Sequence, residues 1–151
     1  MTTSLVSVWL HLLGVVTWIG GLMYQAHVLA PAARRDGAVP LVGLLRRARR
    51  VTWVAIALVV LTGLCNVTLL GPLDRVLQTG AALLLALKFI LVLAAVAVAG
   101  QRDFAQVPRL ARAVAVGDDP RPVLSAIAWM DRLVLLLAVV IIYLGLAVSR
   151  A

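Results

Sequence analysis

The sequence predicts an all-α integral membrane protein: a four-transmembrane-helix up-down bundle with both termini extracytoplasmic, forming a single domain over 1–151. Three observations predict it. Hydrophobic residues make up 64% of the 151 and charged residues 13%, with a mean hydropathy of +1.08, where soluble domains run at roughly 45–50% apolar and about 25% charged. Four apolar stretches match the about 20 residues that a helical crossing of a bilayer takes. Arginine is crowded onto alternate connections between those stretches. A water-soluble fold of this size exposes too much surface to conceal so many apolar side chains, and the same composition excludes disorder.

The first span runs from about 4 to 30 and is expected to end at Pro31. It lacks the basic leading segment of a signal peptide and its apolar part is too long for one. Pro31 also follows the Val28-Leu29-Ala30 that would mimic a cleavage site, so the segment reads as a span that stays in the protein. The second span covers about 51–70 and closes at Gly71-Pro72, the third about 80–100 and the fourth about 133–149. None has the alternation of a membrane strand, and helices then satisfy the backbone in hydrocarbon. Pro40 suits the first turn of a second helix that begins well before the membrane, and Asp118-Asp119-Pro120 reads as a helix start. No internal repeat is visible along the chain.

Orientation follows from the arginines. Arg34, Arg35, Arg46, Arg47, Arg49 and Arg50 lie between the first two spans, and Arg102, Arg109, Arg112, Arg121 and Arg132 between the last two. The other face carries Arg75 and Arg150. The positive-inside rule places both long connections in the cytoplasm, as in a multi-pass protein of the cell membrane (bacterial inner membrane). A net charge of +8 would suggest nucleic acid in a soluble protein. Beside apolar spans it faces the lipid bilayer and its anionic headgroups, and no nucleic-acid partner is expected. One cysteine, Cys65, permits neither an intrachain disulfide nor a cysteine cage.

The informative residues are those that hydrocarbon should reject. Lys88 is the single lysine among 14 basic residues, and it sits eight residues inside the third span. Arginine keeps its proton, whereas a desolvated lysine gives it up and gains a lone pair; the bland reading is a cation snorkelling to the surface. His11 lies seven residues into the first span, which puts His11 and Lys88 ~11 and ~12 Å below the same face. It is either a core histidine bonded to a carbonyl or, with Lys88, one of two nitrogens sandwiching a flat cofactor. Thr62, Asn66 and Tyr143 fall at a similar depth on the antiparallel helices, and Gly14 and Trp18 share the His11 face. His27 lies ~24 Å along the helix from His11, too far to share an iron. It reads as an interfacial residue or a separate ligand.

The run Trp9-Leu10-His11-Leu12-Leu13-Gly14-Val15-Val16-Thr17-Trp18-Ile19-Gly20-Gly21, followed by Arg49-Arg50, Leu61-Thr62-Gly63 and Lys88, resembles the copper-resistance D (CopD) superfamily, which includes the HemJ-type protoporphyrinogen oxidases. The resemblance implies that His11 and Lys88 are ligands of a b-type haem. Where HemJ-type proteins open the fourth helix with asparagine and glutamate, this chain has Trp129-Met130-Asp131 and no glutamate anywhere.

The resulting expectation is an integral-membrane haem b protein, with the haem between the first and third spans, in electron transfer or redox chemistry. A first alternative is a HemJ-like protoporphyrinogen oxidase, with Asp131 as proton acceptor and Arg49 or Arg50 binding substrate propionates. A second is CopD-type copper binding or transport, although Cys65, Met1, Met23 and Met130 form no ladder of soft donors. A redox partner or quinone, and self-association, are compatible with such a bundle. No catalytic residue is assigned.

Overall fold

A computed structural model describes residues 2–68 and 81–148. Leu69, Leu70, Gly71-Pro72, Arg75, Gly80, Ser149 and Arg150 lie outside the described residues. Helix α1 (Thr2–Tyr24) passes through a π-helical turn (Gln25–Leu29) into α2 (Ala30–Asp36), and α3 spans Val39–Thr68. Helix α4 (Ala81–Gln101) passes through a second π turn (Arg102–Gln106) into α5 (Val107–Val116), and α6 spans Arg121–Val148. The described residues thus form four long rods, all helical and all apolar enough to cross a membrane, in an up-down bundle.

The rods are longer than the expected spans. Pro31 does not end the first helix, and the third continues past Gly100 to Val116. Proline in a helix removes one N–H and drives its ring against the carbonyl four residues back. Here each proline is preceded by a π turn, in which Ala30 N–H donates to the Gln25 carbonyl and Val107 N–H to that of Arg102. The wider turn accommodates the ring and lets the helix run on. Helix α3 begins at Val39 with Pro40 in its first turn, and Asp119 Oδ1 accepts the Arg121 N–H at 3.0 Å at the start of α6. Both starts fall where the sequence placed them. Gly117, at φ +77°, closes α5.

The two halves of the chain repeat, contrary to the sequence reading. Gln25 and Arg102 open the two π turns, Pro31 and Pro108 follow each by six residues, and each member of one half lies 77 positions before its mate. On the second helices Pro40 and Pro122, like Gly63 and Gly145, are 82 positions apart. Burial repeats with them: Trp18 with Ala95, Leu22 with Ala99, Ala33 with Leu110, Leu45 with Ile127 and Ile56 with Ala138 are all buried. Little side-chain identity survives between the halves, which is why the sequence conceals the repeat. Gln25 and Arg102 are mates, and Arg102 Nη2 donates to Gln25 Oε1. A residue touching its own mate lies at a twofold axis, so the pseudo-axis runs through this contact along the bundle.

Within each half the helices pack closely, α1 on α3 and α4 on α6. Gly14 permits the first approach, since a Cβ there would stand 2.8 Å from Val59 Cγ2 and 3.2 Å from the Ala55 carbonyl oxygen. Gly14→Val should therefore force α1 from α3 and lower stability by about 1–3 kcal/mol. Gly20→Ala, where a Cβ meets nothing within 4 Å, should be near silent in the same thermal unfolding assay. Two apolar clusters form the core. One, with Trp18, Leu22, Ile56, Ala95 and Val134, lies mid-bundle; the other, with Leu41, Leu45, Leu110, Leu124 and Ile127, fills the arginine-rich end.

Candidate functional site

His11 faces α3, where its Nδ1 lies 3.0 Å from Thr62 Oγ1. The Thr62 hydroxyl has one proton, and donates it to the Leu58 carbonyl four residues back, at 2.5 Å. It can then only accept from His11, so Nδ1 carries the ring proton and Nε2 carries the lone pair. This is how a second partner fixes the tautomer of a metal-binding histidine. Gly63 makes the approach possible, since a Cβ there would sit 3.3 Å from His11 Cε1. One helical turn beyond Thr62, Asn66 Oδ1 is buried without a partner among the described residues, and so is Ser7 Oγ, one turn before His11 on α1. Sequence reasoning found Asn66 and missed Ser7; the signal was its i, i+4 spacing to His11.

Lys88 is the mate of His11 in the second half, and it too lies over a glycine. A Cβ at Gly145 would sit 3.2 Å from Lys88 Nζ. Each half thus presents one nitrogen, cradled by a glycine of its own second helix. Lys88 is close enough to His11 for their charges to interact, and neither Lys88 nor His11 takes part in a salt bridge among the described residues. The buried members of the mid-bundle cluster reach no further toward the termini than Trp18, Ile56, Ala95 and Val134, so both nitrogens lie beyond it, at the terminus end.

The remaining residues singled out from sequence separate. Trp18 is packed in the mid-bundle core with its Nε1 unpartnered, and Gly14 serves the α1–α3 contact. Tyr143 is 70% exposed on the outer surface of α6, away from His11 and Lys88. His27 is exposed, with Nδ1 3.0 Å from the Met23 carbonyl. Arg49 lies over the Phe104 ring, 5.5 Å from its centroid. Arg50 and Gly14 help to line an open apolar groove of about 320 Å³ on the outside of α1 and α3.

A second polar group was not foreseen as a unit. Arg102, assigned from sequence to an orienting loop, is 5% exposed and does not face headgroups. Its Nη1 donates to Asp103 Oδ1 at 2.6 Å, its Nε lies 2.5 Å from Asp131 Oδ1, and its Nη2 reaches Gln25. Trp53 Nε1–H donates to Asp103 Oδ2 at 3.1 Å. All four rods therefore meet in one junction on the pseudo-axis, between the two apolar clusters. The available signal was Arg102-Asp103 directly after an apolar span, six residues before a proline.

The fold and this geometry define a class: a four-helix membrane protein with two halves, each offering one nitrogen at the same end of the bundle. The family model for copper resistance protein D matches residues 42–148, and the chain belongs to that family. The match begins after the first rod, so it includes Thr62 and Lys88 but not His11. No curated protein and no solved structure matches the chain. Among the described residues no three of His, Cys, Asp or Glu converge on a point, and Cys65 and Met23 are exposed on different helices.

Proposed function

We propose that the protein binds a b-type haem at the terminus end of the bundle, which His11 through Nε2 and Lys88 would hold, and works in electron transfer or redox chemistry. The observation that carries the reading is the His11–Thr62–Leu58 chain of contacts, from which the ring proton is assigned to Nδ1 and the lone pair to Nε2. A porphyrin brings four nitrogens of its own and asks the protein for one or two. Two is the number this site supplies, one from each half. When bound, haem supplies one-electron chemistry; the chain's part is to hold the ring, orient His11 through Thr62 and exclude water. Lys88 donates only as a neutral amine, a state that arginine does not reach, and this accounts for a lysine in a chain that otherwise writes its cations as arginine. The positive-inside rule puts this end of the bundle outside the cytoplasm.

Family membership favours copper as a second reading, with His11 Nε2 again the first donor and further donors from outside the chain. One preparation separates the two. The full chain is purified in detergent from haem-replete, copper-replete cells, and its visible spectrum is recorded oxidised and reduced, with elemental analysis alongside. The expected result is a Soret band that shifts on reduction, with iron near one per chain. Lys88→Arg should alter the reduced spectrum while leaving the fold intact. A colourless preparation with copper near one per chain overturns the haem reading; one with neither metal overturns both.

A further inference from the structure

The junction around Arg102 satisfies one of its two carboxylates and not the other. Asp103 accepts from Arg102 at one oxygen and from Trp53 at the other. Asp131, only 1% exposed, has Arg102 Nε as an ion-pair partner at Oδ1, but among the described residues neither of its oxygens accepts an aligned hydrogen bond and Oδ2 has no partner of any kind. The charged groups that face Asp131 are Arg102 and Asp103 of the third rod, which Gln25 of the first rod and Trp53 of the second bond in turn. One cation therefore faces two acids. Half-buried Arg49 lies over the ring of exposed Phe104, and Arg132 is itself exposed.

Charge counting decides what this arrangement holds. With both acids ionised the junction carries a net negative charge between two apolar clusters, and an anionic oxygen has no donor. An uncompensated charge in such surroundings is strongly destabilising. A single proton removes it. A metal cation would do so only beside a guanidinium already 2.5 Å from the other oxygen. The place also matters: polar sites that bind coupling ions in membrane proteins built from repeats lie at the repeat interface, and ionisable residues within such bundles are functional by default.

We infer that Asp131 is a proton-binding site. Its carboxylate takes up one H⁺ at Oδ2 to form a carboxylic acid, which makes the junction neutral, and returns that proton to water when the carboxylate re-forms. No electron moves, and Asp103 stays ionised throughout, held by Arg102 and Trp53. The inference does not depend on which metal or cofactor the other end of the bundle binds.

The test uses the full chain in lipid nanodiscs. The sequence has six aspartates and no glutamate, so aspartate labelled with ¹³C at the carboxyl gives a readable set of signals. At neutral pH one aspartate of the wild type should report a protonated carboxyl, matched in the infrared by a carboxylic-acid C=O band that shifts in heavy water. Both should vanish in Asp131→Asn, an isostere of the protonated acid, and the band should disappear on titration to alkaline pH. A wild type with all aspartates ionised at neutral pH overturns the inference whether or not the variant folds. So does a band that survives Asp131→Asn. Ionised aspartates together with thermal stability raised by sodium but not by choline would assign the site to a metal cation instead.

Discussion

Replacing Arg102 by methionine is expected to lower folding stability by about 3–5 kcal/mol, the cost of breaking a buried ion pair from one side. Methionine fills much of the same volume, so the loss is electrostatic. Among the described residues Asp103 then keeps the Trp53 donor alone, Asp131 loses its one ion-pair partner, and Gln25 loses the guanidinium that ties the first rod to the third. Thermal unfolding in detergent measures the effect. The control is Arg34→Ala: Arg34 makes an exposed bond to Ser125 at 3.3 Å, and its removal should cost about 0–1 kcal/mol. Combining Arg102→Met with Asp103→Asn and Asp131→Asn should recover much of the loss, because no unpaired charge then remains inside. If Arg102→Met alone is as stable as the wild type, the guanidinium is not what joins the rods.

His11→Ala should abolish the bound metal centre altogether, since it removes the one donor whose lone pair is fixed by its neighbours. Thr62→Val is the sharper experiment. It keeps the shape of the side chain and leaves His11 in place, but removes the acceptor that holds the proton on Nδ1. Loss of such an outer partner weakens metal binding about 10–100-fold. The expected result is a protein that still folds and still takes up metal, but releases it to a chelator more readily. His27→Ala should behave as wild type, because His27 is exposed and bonded to its own helix. A Thr62→Val protein that keeps wild-type affinity would mean that the threonine only caps a carbonyl.

Most of the architecture was legible because membrane folding writes its requirements in composition. Span number, Pro40 and the Asp119 cap could be read residue by residue. The ends of the rods could not. Proline is a terminator only when the helix keeps its regular hydrogen bonding, and a π turn before Pro31 or Pro108 is invisible to any count at 100° per residue. The junction was missed for another reason: regular spacing sets Arg102 on the buried face of Ala95 and Ala99, as it sets Gln25 on that of Trp18 and Leu22, but Arg102 was counted with the orienting arginines of the connection. At the proposed metal-binding end, rarity singled out Lys88 and depth singled out His11, while Thr62, which the structure sets beside His11, and Asn66 followed from depth. Tyr143 shares that depth but faces outward, because depth fixes height along a helix and says nothing of azimuth.

The repeat described above has a consequence for what one chain can do that two cannot. A homodimer of the first half would set glutamine against glutamine at its dyad, and a homodimer of the second would press two guanidiniums together, each repelling the other. Covalent linkage lets mates diverge. Gln25 answers Arg102, Ala26 stands opposite the acid Asp103, and Arg49 occupies the place that Asp131 takes in the other half. His11 and Lys88 diverge in the same way, giving one aromatic and one aliphatic nitrogen where enforced symmetry would give two alike. If His11 and Lys88 hold a haem as proposed, two unequal donors would set a different electronic potential from a matched pair, and a fused chain can tune each side independently.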